Sequence, residues 1–196
     1  MFRMTKTAPA QWTNWGGTAS CTPDSLLVPQ SIDELAAAVH AAAERGATVK
    51  PVGAGHSFSE IAVAPGVQVA MSGFRGVRDV DLPNKRITLG AGTNLHQIPG
   101  ILEPLGLAMT NLGDVDRQTV SGATSTGTHG TGGAFGGIST QIRGVTLVDG
   151  TGQVRTVGEN DPDLKAAALG LGALGIITDI TLQLVDAYAI QAVEAP

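Results

Sequence analysis

The strongest periodic pattern in the chain spans residues 31–46, where apolar side chains recur at helical spacing along one face. Ser31 is a suitable N-cap for this stretch, and Glu34 three positions later completes a capping box. Gly46 suits the left-handed residue that ends many helices. The pattern predicts one amphipathic helix over residues 31–46.

The other apolar runs are short, rich in β-branched residues and separated by turn residues, which is typical of strands. Within residues 142–157, a DGTG turn between two such runs predicts a hairpin. Further strands are predicted over residues 48–52, 67–71, 86–92 and 175–185, with a turn over 82–86.

Two weaker helical signals complete the pattern. A helix that starts after Thr93 is expected to be interrupted at Pro99 and Gly100. Pro162 is expected at the first position of another short helix, where proline is favoured. The mixed order of helices and strands predicts an α+β fold with two small sheets.

Residues 111–137 show no amphipathic period and are full of Gly, Ser and Thr. A flexible surface loop is one interpretation of this composition. Long loops inside compact chains also tend to be functional. Small residues with exposed N–H and hydroxyl donors suit a backbone that wraps a diphosphate and a planar ring, so the segment is a candidate binding loop.

Composition narrows the function classes. Apolar residues make up 42% of the 196 residues and charged residues 15%, which predicts a compact fold. The net charge of −5 provides no electrostatic reason to bind nucleic acid or an anionic membrane. Cys21 is the single cysteine, and no apolar run approaches the length of a membrane span. We therefore expect a soluble, cytoplasmic chain without a disulfide.

Residues 53–59, GAGHSFS, follow a predicted strand and raise the question of a phosphate loop. A Rossmann fingerprint requires a third glycine where Phe58 stands and a helix afterwards, and a Walker loop requires a lysine. Neither pattern is met. Residues 122–127 are one residue too long for the nucleophile elbow of a hydrolase.

The four histidines lack the spacing of metal ligands, so no metal site is predicted. His40 and His96 are interpreted as surface or packing residues. His56 and His129 each lie within a glycine-rich segment, and both are candidates for a direct role.

Five short motifs occur in order along nearly the whole chain: Trp12-x-Asn14-Trp15, Pro29-x-Ser31-x-x-Glu34-Leu35, residues 52–57 (VGAGHS), residues 113–130 with GDVD and SGATSTGTHG, and residues 172–178 (GALGIIT). In this order they resemble the FAD-binding (PCMH-type) domain of the vanillyl-alcohol oxidase superfamily. Within it, the chain is most similar to the L-gulono- and D-arabinono-1,4-lactone oxidases and alditol oxidase.

The resemblance implies two small α/β subdomains, roughly 1–72 and 73–186, with FAD bound between them. Residues 187–196 would begin a linker to a second domain that supplies substrate-binding groups and the catalytic base. The cofactor-binding residues implied are Val52, Gly53, Ala54, Gly55, His56, Ser57, Gly113, Asp114, Thr119, Gly122, Thr126, Gly127, Thr128, His129 and Ile177.

The resemblance also implies chemistry at two positions. His56 matches the histidine that many members link covalently to the flavin, although some lactone dehydrogenases with a similar loop hold FAD without that bond. Gly113 matches a position near the flavin face where a larger side chain hinders oxygen, so glycine predicts that O2 can reoxidise the flavin.

The implied activity is oxidation of a sugar lactone or polyol hydroxyl, by hydride transfer to flavin N5, with electrons passed to O2 or another acceptor. This chain alone is expected to be inactive. Three alternatives stay open at this point: a different substrate such as a 2-hydroxy acid or an aromatic alcohol, a non-catalytic flavin-binding fragment, and a glycine-rich surface-interaction protein.

Overall fold

The structure, a computed structural model, describes residues 6–7, 10–191 and 193. Its α-helices are α1 (Ile32–Glu44), α2 (Ile98–Leu102), α3 (Val120–Ser125) and α4 (Leu164–Ala168). Its strands are β1 (Lys6–Thr7), β2 (Trp12–Thr13), β3 (Ser20–Cys21), β4 (Ser25–Leu27), β5 (Val49–Val52), β6 (Val67–Ala70), β7 (Val77–Asp81), β8 (Arg86–Gly90), β9 (Leu107–Ala108), β10 (Ile142–Val148), β11 (Val154–Gly158), β12 (Ile176–Gln183) and β13 (Val185–Asp186).

The first sheet has the strand order β1-β4-β6-β5. Strands β4 and β5 both run parallel to β6, whereas β1 is antiparallel to β4. Helix α1 connects β4 to β5, and its buried face contributes Leu35 and Val39 to the core beside Val69 of β6. Because the parallel strands end at the same edge, residues 53–57 leave the sheet at its carboxyl edge.

The second sheet has the order β11-β10-β12-β8-β7, and all its neighbours are antiparallel. Its central strands carry fully buried side chains such as Ile87, Leu147 and Ile180. These side chains and those of the first sheet belong to one continuous hydrophobic cluster. The α+β architecture with two small sheets is therefore confirmed.

Helix α1 begins and ends as its sequence predicts, with one difference in the cap. The Ser31 hydroxyl accepts a hydrogen bond from the Glu34 N–H at 3.2 Å. The Glu34 carboxylate accepts from the N–H of Gln30 at 2.8 Å, one residue earlier than in a capping box. Gly46 has φ +64, the left-handed conformation expected after the helix.

Two local predictions, on helices α2 and α4, were wrong, and strand β7 and helix α3 were not predicted. Strand β7 was missed because its side chains are almost all exposed, so no apolar alternation marks it. Helix α2 includes Pro99 in its first turn, where no N–H bond is lost, and Gly100. Helix α4 begins two residues after Pro162. Helix α3 lies inside the segment 111–137, where no helix was predicted.

The two sheets are joined by the 3₁₀ turn Met71–Gly73, which contains the predicted boundary between the subdomains. That boundary stays a prediction. No helix in the described part of the chain is long and apolar enough to cross a membrane.

Candidate functional site

A cleft of about 610 Å³ lies where the two sheets meet. Its walls come from residues far apart in the chain: the loop after β5, helix α3 with its flanks, the turn after β10, and the segment before β12. The cleft therefore joins both glycine-rich segments. The predicted residues in its lining are Gly53, Ala54, Gly55, His56, Ser57, Thr119, Gly122, Thr126 and Ile177.

The loop after β5 packs closely against the start of helix α3. A Cβ at Gly53 would overlap the Thr119 side chain, so only glycine allows this approach. Gly55 has φ +68, and a Cβ there would also meet the Trp12 ring at 3.3 Å. Small residues in this loop are thus required by its neighbours.

Asn14 anchors the loop to the β2–β3 hairpin. Its buried side chain donates a hydrogen bond to the carbonyl of Ser57 at 2.8 Å and accepts from the N–H of Thr18 at 2.9 Å. The Trp15 N–H donates to the carbonyl of Gly55 at 2.8 Å. These side chains were part of a sequence motif, but their role as the support of the loop was not predicted.

His56 is half-buried at the edge of the cleft. Its imidazole is stacked on the indole of Trp15, with ring centroids 5.3 Å apart. Phe58 meets Trp15 edge-on, with centroids 6.2 Å apart, and both of these aromatic side chains are about two-thirds exposed. Trp15 thus contacts the imidazole without being part of the cleft lining, and Phe58 in turn contacts Trp15.

Hydroxyl-bearing residues of helix α3 and its N-cap line the cleft. Thr119 is its N-cap and accepts a hydrogen bond from the Gly122 N–H at 3.2 Å. Ser121 and Ser125 line the cleft, and the Ser121 hydroxyl donates to the carbonyl of Ala91 at 2.8 Å. Gly127 has φ +73 and ends the helix. This stretch is rich in small residues because helix α3 packs closely against the loop after β5 and also lines the cleft.

Six predicted site residues lie outside the cleft lining: Val52, Gly113, Asp114, Gly127, Thr128 and His129. Thr128 lies directly behind the lining residue Gln118, whose amide donates to its hydroxyl at 3.0 Å. Asp114 and His129 are exposed, and His129 Nδ1 pairs with the carbonyl of Gly130 at 2.9 Å. Their contact with a cofactor stays a prediction.

Two charged residues in the lining were not predicted, Lys50 and Asp149. The Lys50 ammonium donates to the carbonyl of Ile61 at 3.0 Å. The Asp149 carboxylate accepts from the hydroxyl of Thr151 at 2.7 Å, then from its N–H, and these bonds lower the pKa of Asp149 below its ordinary value. Lys50 belongs to a strand without any motif, and Asp149 was recognised only as the first residue of the DGTG turn.

The lining fits a dinucleotide with a diphosphate. Within the described part of the chain, no protein acceptor is paired with the backbone N–H groups of residues 53–57. Unpaired amides in a glycine-rich loop suit an anion, and Ser121 and Ser125 of helix α3 line the same cleft. The apolar wall formed by Val148, Leu171 and Ile177 suits a planar ring.

The cleft lies between the two sheets of an α+β fold, with amide donors at one wall and apolar side chains at another. These features are typical of a dinucleotide-binding domain. The chain belongs to the FAD binding domain family, whose model matches residues 23–158. FAD is therefore its cofactor, and the resemblance seen in the sequence motifs is confirmed.

Three relatives illustrate the similarity. The chain is 42% identical over 179 residues to an L-gulono-1,4-lactone dehydrogenase of Mycobacterium tuberculosis, covering 91% of the chain and 42% of the relative. It is 37% identical to the L-gulonolactone oxidase of Mus musculus, covering 91% and 41%. It is 36% identical to a D-arabinono-1,4-lactone oxidase of Kluyveromyces lactis, covering 92% and 36%. The chain thus spans about two-fifths of the length of these relatives.

Among solved structures, cholesterol oxidase from Brevibacterium sterolicum matches with a TM-score of 0.84 at 21% identity, over 93% of this chain and 38% of that one. Its His121Ala mutant matches with a TM-score of 0.83 at 20% identity, over 93% and 38%. At this identity the match establishes the shared fold.

Proposed function

We propose that this chain is the FAD-binding part of an oxidoreductase that oxidises a hydroxyl-bearing carbon of a sugar lactone or polyol. The observation that carries the proposal is the cleft, in which both glycine-rich segments face one volume of about 610 Å³. Relatives named as lactone oxidases and dehydrogenases, at 36–42% identity, support this substrate class.

In this proposal the chain's own residues bind and orient the cofactor. The N–H groups of residues 53–57 receive the diphosphate, and the Thr119 side chain holds that loop in place. His56, flanked by Trp15, faces the flavin ring and is the candidate for a covalent link. Thr126 would contact the cofactor from the lining itself, and Gly113, Asp114 and residues 127–129 would support the same ring from outside the lining.

FAD, when bound, supplies an acceptor for hydride at N5. We infer that the general base and most substrate contacts come from the part of the protein that corresponds to the rest of the relatives' length, beyond residues 187–196. The domain limits 1–186 and the subdomains 1–72 and 73–186 belong to the same proposal, as does a cytoplasmic location. O2 is the proposed acceptor because Gly113 has no side chain to obstruct its approach.

The test has two stages. The purified chain, supplied with FAD, should bind it, and flavin that stays attached to protein after acid denaturation should be lost in His56→Ala. The protein extended to the relatives' length should then reduce its flavin with L-gulono-1,4-lactone, D-arabinono-1,4-lactone or an alditol. If the protein binds FAD but none of these compounds reduces the flavin, the proposed substrate class is wrong. If the chain does not bind FAD, or if FAD does not raise its melting temperature, the flavoprotein assignment is wrong.

A further inference from the structure

Strand β7 lies at one edge of the second sheet, and its apolar side chains are exposed. Among the described residues it pairs with β8 alone. Val77 is 44% exposed, Val80 is 36% exposed, and Leu82 directly after the strand is 51% exposed. An edge strand leaves part of its backbone N–H and C=O groups without a strand partner, and such an edge can pair with another chain. Strand β7 is therefore a candidate interaction surface.

A bulge interrupts the pairing of β7 with β8. Val77 lies opposite Leu89, and Asp79 lies opposite the next residue of β8, Thr88, so Arg78 is an extra residue in β7. In a regular strand, residues three positions apart point to opposite faces of the sheet. The extra residue shifts this alternation by one position. Residues that are three apart across the bulge therefore share a face.

The two valines of β7 lie on the core face of the sheet. Val77 is opposite Leu89 and Val80 is opposite Ile87, and both of these partners are fully buried. Directly opposite residues in a sheet share a face. Val77 and Val80 thus belong to the apolar side of the sheet, and they are exposed because no further strand lies beside them in the described part of the chain.

The charged residues Arg78 and Asp79 lie on the other face. Asp79 is opposite Thr88, whose hydroxyl is 2.8 Å from that of Thr181. Arg78 Nε donates to the carboxylate of Asp179 at 3.0 Å, and Asp179 shares the face of Thr181 because the two are two positions apart in β12. Within the described residues, Asp79 forms no ion pair, and the Nη groups of Arg78 have no acceptor.

We propose that two copies of this chain associate through β7, in antiparallel pairing about a two-fold axis between Arg78 and Asp79. In this register Val77 lies opposite Val80 of the second copy, and Arg78 lies opposite Asp79 of the second copy. Because of the bulge, each pair joins residues that share a face. The pairing buries the exposed valines, gives Asp79 a cation and joins the two second sheets into one.

The opposite edge of the same sheet lacks this self-complementarity. Strand β11 has an exposed apolar residue, Val154, but Arg155 is its only charged residue. Arg155 also bonds to Asp163 of the same chain at 3.1 Å. A bulge and charges often protect an edge from pairing. In β7, however, the charges have opposite signs and the bulge aligns them, so the proposal is specific to β7.

The association is independent of the proposed function, because no residue of β7 lines the cleft. Sedimentation equilibrium of the purified chain over a dilution series measures it. At high concentration the original chain should have twice the mass of one copy, and it should dissociate on dilution. Asp79→Arg should raise the Kd of self-association about tenfold or more, because it places like charges opposite each other. Arg78→Asp should do the same.

An equimolar mixture of these two variants is the decisive sample. The two arginines of one variant then lie opposite the two aspartates of the other, so the mixture should recover the mass of the original dimer. Far-UV circular dichroism checks that each variant is folded. If the folded variants stay monomeric when they are mixed, the register is wrong.

An edge lysine provides a second test that does not reverse a charge pair. Val80→Lys should raise the Kd of self-association about tenfold or more, because a lysine on an edge strand opposes pairing. Val154→Lys is the matched control on β11 and should leave the Kd unchanged. Equal dimerisation of both variants, or an original chain that is monomeric at every concentration, would overturn the proposal. If the protein extended to the relatives' length is monomeric although this chain dimerises, the added part covers β7 and the second copy is the wrong occupant.

Discussion

The indole of Trp15 covers one face of the His56 imidazole, with the two ring planes inclined by only 27°. The two residues belong to different loops, and the N–H of Trp15 also donates to the carbonyl of Gly55, next to His56. The stack therefore orients a cleft residue from outside the cleft.

Trp15→Ala should weaken FAD binding about three- to tenfold, since a stacked ring pair contributes about 0.5–1.5 kcal/mol and orders the loop before the cofactor arrives. Because Trp15 is 69% exposed, the melting temperature of the cofactor-free chain should change little. Trp15→Phe, which keeps a ring, is the control and should retain most of the affinity. Equal FAD affinity in the Ala and Phe variants would show that the stack does not orient His56.

Gly53→Ala should destabilise the chain by about 1–3 kcal/mol, because its Cβ would overlap the Thr119 side chain. Thr119→Ala alone should cost about 1 kcal/mol through loss of the α3 cap. The double variant should be less destabilised than the sum of the two, as measured by urea unfolding. Gly133→Ala is the control, because no atom lies within 4 Å of the added Cβ. Strict additivity would contradict the close contact.

Asp149 should make stability depend on pH. Hydrogen bonds from Thr151 hold its pKa below the ordinary value of 3.8 in the folded chain. The folded state therefore binds the proton less readily, so this contribution to stability is present above about pH 4 and is lost as the pH falls through the lowered pKa. The urea midpoint of Asp149→Asn should lie below that of the original at pH 6. The gap should narrow at pH 3, and a gap that widens there would contradict the assignment.

Under the proposed function, Gly113→Ala should slow reoxidation of the reduced flavin by O2 in the protein extended to the relatives' length, as followed by rapid mixing. The added Cβ would lie 2.7 Å from Thr128 Cγ2, so the methyl either blocks oxygen directly or displaces Thr128 and its hydrogen bond with Gln118. Gly113→Ala/Thr128→Ser separates these effects, because serine lacks the crowded methyl. Slow reoxidation in both variants supports direct blocking, whereas unchanged reoxidation in Gly113→Ala would refute an oxygen path at Gly113.

Several elements were determined by the sequence alone. Helix α1 has an apolar face and caps within its own residues, and the hairpin of β10 and β11 has its turn residues between two apolar runs. Such signals are local, so they survive without knowledge of the rest of the fold. The order of the short motifs was likewise sufficient to predict the FAD-binding family.

The tertiary structure alone decided how the site is assembled. The contact of Gly53 with Thr119, the stack of Trp15 on His56 and the bond from Leu171 to Ser125 each join segments that are distant in the chain. Helix α3 also depends on such contacts, since its small residues have no amphipathic period, Val120 is buried, and the helix contacts strand β12 of the second sheet. Periodicity reports which face of an element is buried, but it carries no information about which distant element covers that face.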